Sequence, residues 1–362
     1  METPYLSVIV ATRDDSHGGD PFKRLSTCLK IFSHQAEKYS LPIEYIVVDW
    51  NSPADSEGLF NKLKKIRIPG TRLDLRVIEV PRSVHQELDD AKIPFYQMIA
   101  KNVGIVRSRG EFVLSTNIDI FLYEKLFETI AKKNLRNDRL YRSNRFDIEN
   151  CVYDFSTSEQ HLVDKLTRLN FRGKTVPIKQ IKLRKPLPHI PKKFHSLLEI
   201  VNFFGLSSEI SLSGKFKEKA RILKKKIGFY GSRGFPLHTN GAGDFLLLSR
   251  KGWDSLRGFP EWRIFSMHID SIFCFLAQEA GYLENCFSRD LVHFHIDHGD
   301  GWSPESDSAL FGRLIQANVP FISNDELICI EEKVRKTKHQ TINPANWGLQ
   351  SHEFKIRRPW HE

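Results

Sequence analysis

Polar groups able to ligate a metal or move a proton recur in this chain directly after short apolar runs. Tyr5–Thr12 (YLSVIVAT) leads into Arg13-Asp14, Glu44–Val48 into Asp49-Trp50-Asn51-Ser52, and Glu111–Ser115 into Thr116-Asn117-Ile118-Asp119. Asn117 and Asp119 are two apart, so on an extended segment their side chains share one side. Late in the chain His293, His295 and His298 fall within VHFHIDHGDGW. Alternation puts His293 and His295 on one strand face, and imidazole suits manganese as well as zinc. Asp244 follows Gly241 and Gly243, which permit close backbone approach to a ligand. Asp270 opens a helical pattern, where the helix N-terminus stabilises its anion. Plainer readings compete at each position. Asn117-Ile118-Asp119 can close a strand as an Asx turn, and Asp49, Ser52 and Asp270 can cap helices. The three histidines alone can be read as a zinc site.

The elements that must position these groups follow from periodicity. Tyr5–Thr12, Glu44–Val48, Leu75–Val80 and Glu111–Ser115 are nearly continuous apolar runs, as strands buried on both faces require. Between them, Leu25, Cys28, Leu29, Phe32 and Ala36 form a helical stripe. Leu59, Phe60 and Leu63 form a short one, and Phe95, Met98, Ile99, Asn102, Val103 and Val106 a third that ends near Arg109-Gly110. This β-α-β-α-β-α-β order predicts an α/β fold with a mainly parallel sheet, whose ligands bind at the carboxyl ends of the strands. A helix and a polar strand, Leu140–Phe146, follow. Residues 155–235 show no clear period and read as an insertion. Asp244–Ser249 is a further strand, Ile269–Ala280 a helix, Leu291–Ile296 a late strand, and 331–362 a polar tail laid over the domain. The expected organisation is 1–150 and 238–330 as the two halves of the α/β domain, 151–237 as a basic insertion between them, and 331–362 as a C-terminal extension.

Composition narrows the classes. The chain has 362 residues, 40% hydrophobic and 27% charged, which describes a folded globular protein of one large or two fused domains. It holds no apolar run of 18 residues, and Met1-Glu2-Thr3-Pro4 carries no basic n-region, so neither a membrane span nor a secretory signal is expected. Cys28, Cys151, Cys274, Cys286 and Cys329 are odd in number and never spaced as CxxC, which argues against a zinc ribbon or disulfide framework and for a cytoplasmic location. No GxGxxG follows the first strand, and no GxxxxGK[ST] occurs, so a dinucleotide-binding domain is disfavoured and a P-loop is excluded. The net charge of +10 is local. Arg172–Gly228 carries 15 Lys/Arg against 3 Glu. That segment should meet something acidic.

Four stretches in order, SVIVATRDD, VVDWNS, KNVGIVRSRGEFVLSTNID, and NGAGDFLLLSRKGWDSLRGFPEW with MHIDSIFCFLAQEAGY, together resemble the family 2-like glycosyltransferases of GT-A fold. The resemblance covers residues 5–125 and 238–300. It implies a Rossmann-like, mainly parallel central sheet flanked by helices. It also implies transfer of a sugar from a nucleotide diphosphate, UDP above all, to a glycan or lipid-linked acceptor hydroxyl, with inversion and a divalent metal, Mn or Mg. In the resembling pattern Asn117 and Asp119 stand at the metal-holding DxD motif, with Asn in place of the first Asp. Asn keeps an oxygen but removes a charge, so Asn117 is placed with the donor-binding groups. His295 or His298 would complete the metal site with Asp119. Asp49 would contact base or ribose, Thr12 and Arg13 the nucleotide, and Lys101 and Asn102 its neighbourhood. Asp270 would deprotonate the acceptor, with Asp244 as the alternative base or an acceptor-binding acid. A base at a helix N-terminus needs its pKa raised by burial or by nearby phosphate. Trp253 and Trp262 can stack on a sugar or pack a core, and Gly299–Trp302 reads as a loop covering the ligand.

Two rival readings remain open on sequence. A retaining enzyme would share the metal site without needing Asp270, and an inactive module would bind an anionic partner through 172–228. The basic segment itself can be a solvated arm, a site for an acidic or lipid-linked acceptor, or a surface that adsorbs to the inner face of a membrane. Nucleic acid is disfavoured, because no RRM, HTH or KH signature is present.

Overall fold

A computed structural model of the chain describes residues 3–16, 18–68, 70–88, 93–171, 174–178, 237–288, 290–298, 307–338 and 341–360. Alternating strands and helices open the fold: β1 (Leu6–Thr12), α1 (Pro21–Lys38), β2 (Ile43–Trp50), α2 (Leu59–Lys64), β3 (Leu73–Val80), α3 (Arg82–Leu88), α4 (Gln97–Val106) and β4 (Phe112–Ser115). The middle holds β5 (Ile120–Leu122), α5 (Glu124–Ala131), β6 (Arg139–Arg142), β7 (Asn144–Ile148), α6 (Glu159–Asp164), β8 (Leu166–Phe171) and β9 (Lys174–Pro177). After Leu237 come a 3₁₀ turn (Ala242–Asp244), β10 (Leu246–Ser249), α7 (Arg250–Leu256), α8 (Ile269–Glu279), β11 (Leu283–Cys286), β12 (Val292–Ile296), α9 (Asp307–Gln316), α10 (Asn324–Thr337), a second 3₁₀ turn (Trp347–Leu349) and β13 (Lys355–Arg357).

The central sheet has the order β11-β6-β10-β4-β1-β2-β3-β13. The pairs β4/β1, β1/β2, β2/β3 and β11/β6 are parallel, while β10 and β13 run antiparallel to their neighbours. This mainly parallel sheet with helices on both faces is the arrangement the resemblance implies. Every residue of β1 and β2 is buried, as their mostly apolar runs require, and the buried Glu44 is satisfied by Ser7, Arg76 and Arg109. One face packs against α4, α7 and α8 and the other against α1, α2 and α5. α1 starts where Asp20 accepts a hydrogen bond from the Lys23 backbone and Pro21 fills the first turn. Its Leu25, Leu29, Phe32 and Ala36 face the central sheet, while Cys28 and Ile31 face a second core.

That second core belongs to a smaller sheet, β5-β12-β7-β8-β9, built around Phe121, Phe146, Phe171 and Phe294. The polar strand expected over Leu140–Phe146 is in fact two. β6 lies in the central sheet and β7 in the smaller one. The break at Ser143 has a physical cause. The buried Arg142 guanidinium donates to the carbonyls of His238, Ala242, Asn240 and Phe245, and Ser143 Oγ donates to the Leu291 carbonyl (2.9 Å), which turns the chain from one sheet to the other. The smaller sheet also takes in α6, β8 and β9, so regular structure continues past residue 155 to Ile178.

The C-terminal segment does more than lie on the surface. Trp347 and Leu349 enter the core beside α4, and β13 extends the sheet along β3. All five cysteines are free thiols. No helix among the described residues is long and apolar enough to cross a membrane. Residues 179–236, which hold most of the basic segment, and the Gly299–Trp302 loop lie outside the described residues.

Candidate active site

The end of β4 and the smaller sheet bring three predicted ligands together. Asp119 follows β4 and precedes β5, which pairs with β12 and so places Ile120 opposite His295. His298 Nε2 is 3.3 Å and His295 Nε2 is 3.8 Å from Asp119 Oδ2. One ligand atom from each of the three lies within 4.8 Å of the others. Asp119 is buried, and its Oδ1 has no hydrogen-bond partner. Gly18 (φ +62°) lies against the cluster, where a Cβ would come within 2.8 Å of His298 Nδ1 and 2.9 Å of Arg24 Nη2. The Arg24 guanidinium is buried 3.8 Å from the same Asp119 oxygen. Burial pushes the Asp119 carboxyl up, but the imidazoles of His295 and His298 outweigh it and hold the group below the usual carboxylate range. One carboxylate with a bare oxygen and two imidazoles fit a divalent cation of the manganese or zinc type better than magnesium, which prefers oxygen donors throughout.

Behind this cluster runs a continuous polar chain. His295 Nδ1 lies 3.2 Å from Asp147 Oδ1, and β12/β7 pairing sets these two residues opposite each other. Asp147 is wholly buried and also meets Arg145 (2.8 Å), Arg168 (2.9 Å) and Asn170 (3.2 Å). Arg145 bridges onward to Asp244 Oδ2 (2.6 Å). Asp244 Oδ1 accepts from Asn117 Nδ2 (2.7 Å), and Asn117 Oδ1 accepts from Gln97 (3.0 Å). Both halves of the Asn117 amide are therefore engaged inside the protein, where it braces Asp244. Burial raises Asp244, but Arg145 first and then the histidines outweigh it and hold its carboxyl far below the usual range. A group so strongly paired is a poor proton acceptor, which weighs against Asp244 as the base.

Gly243 links this chain to Asp270. Its N–H donates to Asp270 Oδ2 (2.5 Å), and its carbonyl accepts from the wholly buried Lys101 ammonium (2.8 Å). A glycine suits this place, for a Cβ would lie 3.2 Å from Asp270 Oδ2. Asp270 Oδ1 accepts from the Ser271 N–H (2.8 Å). Burial nevertheless dominates and raises the Asp270 carboxyl, as a general base requires. Burial lowers Lys101 to about 8, and the nearby charges of Asp244, Asp270 and Asp119 oppose that. His268, just before α8, has φ +70°, in the left-handed region, and sets the start of the helix that carries Asp270.

A second group of predicted residues lies at the ends of β1 and β2. Thr12 stands opposite Asp49 in the parallel register. Asp49 accepts a short hydrogen bond from Ser52 Oγ, which in turn accepts from the Asp14 N–H (2.7 Å). Burial pushes Asp49 up to about 6, against the Ser52 hydrogen bond. Asp14 pairs with Lys62 and accepts from the Gly58 N–H (2.9 Å). Arg13 donates to the Pro94 carbonyl (2.8 Å) and pairs with Asp15 (3.1 Å). Thr12, Arg13 and Asp14 line a narrow cleft with Pro21, Phe22, Leu25 and Leu59.

No protein-family model matches the chain, and no curated protein does. Among solved structures it is similar to S. aureus TarS 1-349, at 13% identity and a TM-score of 0.42 over 92% of this chain and 72% of that one. It is likewise similar to S. aureus TarS 1-349 in complex with UDP, at 14% identity and a TM-score of 0.40 over the same shares.

The other sequence expectations separate. Asn102 takes the buried, structural place that its position in the apolar stripe also allowed. It is fully buried, donates to the Phe259 carbonyl (2.8 Å) and Glu261 (3.0 Å), and accepts from the Phe259 N–H (2.9 Å), so its capacity is spent on the Gly-Phe-Pro-Glu turn. Trp253 is core, stacked on Phe273 at 4.4 Å with its indole N–H on the Val113 carbonyl. His293 stacks on Phe245 and lies outside the ligand group, and burial lowers its imidazole to about 3. Arg24, Gln97, Arg145 and Asp147 were not expected from sequence. A signal existed for two of them, since Arg145 and Asp147 put opposite charges on one face of a strand whose other face carries Phe146 and Ile148.

Proposed function

We propose that this chain is a glycosyltransferase that moves a sugar from a nucleotide diphosphate, UDP-sugar by the sequence resemblance, to an acceptor hydroxyl. The observation that carries the reading is the convergence of Asp119, His295 and His298 at the carboxyl end of β4, with Asp270 joined to them through Gly243 and Asp244. Open α/β sheets bind ligands at this end of their strands. Asp119, His295 and His298 would hold a divalent cation, which when bound neutralises charge on the leaving diphosphate.

The chain's own residues then have separate tasks. Asp49, with Thr12 beside it in the parallel register, holds the nucleoside end of the donor at the ends of β1 and β2. Asp270 takes the proton from the acceptor hydroxyl, and its raised pKa matches that task. Asp270 holds the N–H of Gly243 and Lys101 its carbonyl, which together fix where the base stands. Direct attack by the activated hydroxyl inverts the anomeric centre. The acceptor is a glycan or lipid-linked precursor on the cytoplasmic side, and the basic segment 172–228 draws the enzyme towards an anionic surface.

Thermal unfolding with UDP, GDP and CMP and their sugars, each with Mn²⁺ and with EDTA, tests the reading. One nucleotide should stabilise the protein only with Mn²⁺, by about 2.7 kcal/mol at 100 times its Kd. Asp119→Ala should abolish that shift and turnover together. No nucleotide shift under any condition would overturn the donor-site assignment.

A further inference from the structure

We propose that Asp147 is the positioning residue that fixes His295 as an Nε2 metal ligand, by accepting a hydrogen bond from its Nδ1–H. The inference rests on the metal reading of Asp119, His295 and His298 given above.

Three observations carry it. First, the two ring nitrogens of His295 face different carboxylates. Nδ1 is 3.2 Å from Asp147 Oδ1, and Nε2 is 3.8 Å from Asp119 Oδ2. A neutral imidazole carries one proton, and the hydrogen bond at one nitrogen decides which nitrogen stays free to ligate. Second, Asp147 cannot turn away. It is wholly buried, and its oxygens are held by Arg145, Arg168 and Asn170 as well as by His295. The guanidiniums also keep it an anion, which strengthens its pull on the Nδ1 proton. Third, the sheet sets the geometry. His295 and Asp147 are register partners across β12 and β7, and Ile120, next to Asp119, is the partner of His295 across β12 and β5. Ligand and orienting acid thus come from two adjacent strands, and the carboxylate from the turn that leads into a third. The other candidate histidine differs, since His298 Nδ1 is buried and has no hydrogen-bond partner. Among the described residues the structure therefore gives His295, and not His298, an orienting acid.

The test is binding of Mn²⁺ to the full chain, followed by electron paramagnetic resonance, in wild type, Asp119→Ala, Asp147→Asn and Arg168→Gln. Asp147→Asn keeps the size of the side chain but offers an amide that can satisfy the other tautomer. It should weaken Mn²⁺ by about 10- to 100-fold. Arg168→Gln removes a neighbour of Asp147 without touching His295 and should leave the affinity within about threefold of wild type. Equal losses in Asp147→Asn and Arg168→Gln would mean that the ion network serves the fold alone, and would overturn the proposal. Binding lost in Asp119→Ala but unchanged in Asp147→Asn would overturn this inference and leave the metal reading standing. A wild type that takes up no Mn²⁺ would remove both. Independently of any variant at Asp147, ¹⁵N spectra of the metal-free protein, taken at a pH high enough to leave the ring neutral and with the His295 ring assigned by His295→Gln, should show the one proton on Nδ1. A bare Nδ1 with the proton on Nε2 would overturn the proposal.

Discussion

At Asp49, binding and stability make opposite demands. Its carboxyl is 7% exposed and burial raises it from 3.8 to about 6. The folded state therefore holds the proton more tightly than the unfolded chain does. Below pH ~4 both states are protonated and no penalty exists. As pH rises towards 6 the unfolded chain ionises first, and above 6 the folded protein carries the full cost, on the order of 2–3 kcal/mol. Asp49→Asn keeps an acceptor for Ser52 and removes the charge. It should raise stability to urea at pH 7.5 and give no gain at pH 3.5, while weakening nucleotide binding if Asp49 contacts the donor. A variant no more stable at pH 7.5 than at pH 3.5, relative to wild type, would show that the carboxylate is not strained. The residue scale also shows what sequence could reach. That Asp119, His295 and His298 lie together was reached through the family resemblance; alternation alone pairs His295 with His293, which stands outside the group. Asn102 was not separable from Lys101, its neighbour, because a helical stripe says that a residue is buried without saying which buried polar group it meets. Asn102 meets a turn 157 residues away, and Lys101 meets the Gly243 carbonyl.

Among the elements, the first half of the central sheet was readable because strands buried on both faces read as nearly continuous apolar runs, broken only by a few paired groups such as Glu44 and Arg76. The second half was not, because its pattern is broken by groups with distant partners. The Leu140–Phe146 run looks like one strand until Arg142 is seen to serve the 238–245 carbonyls, and α3 and β11 are too short to show a period. The C-terminal segment is the clearest case. Asn343 donates to the Arg257 and Phe259 carbonyls and accepts from the Glu261 N–H, and Arg107 donates to the carbonyls of Gly348, Leu349 and His352. The tail thus clamps both α4 and the Gly-Phe-Pro-Glu turn that precedes α8. Gly258 is the tight point. Its φ is +68°, and a Cβ would lie 2.3 Å from Asn102 Oδ1 and 2.6 Å from Trp347 Cζ3. Asn102 is fully hydrogen-bonded and Trp347 is buried, so neither can give way. Gly258→Ala adds backbone strain of about 1–3 kcal/mol to overpacking of similar size. A loss of roughly 2 kcal/mol or more in equilibrium unfolding is expected. A loss below 0.5 kcal/mol would mean that the tail is not clamped in solution.

For the molecule as a whole, the candidate metal group sits where the two sheets meet. Asp119 lies between β4 of the central sheet and β5 of the smaller one, His295 belongs to β12, and Gly18 of the β1–α1 loop closes against His298. A cation joining these groups would tie the smaller sheet to the central one. The two sheets have separate aromatic and aliphatic cores and share α1 as a wedge, so the smaller sheet can open with less loss of contact than the whole fold. Ligand binding stabilises only those openings that break the site. Amide hydrogen exchange with and without Mn²⁺ should therefore change unevenly. Protection should rise most in β5, β7, β8 and β12 and in the Ser16–Asp20 stretch outside residue 17, by about 100-fold at 100 times Kd. The far edge, β3 with β13, should change little, because those strands exchange through openings that leave the cluster intact or through global unfolding. Uniform protection across both sheets would show that the sheets open together and that the division into two cores has no dynamic meaning. Protection confined to the β1–α1 loop would show that the cation meets His298 without engaging β12, and would separate His295 from the metal.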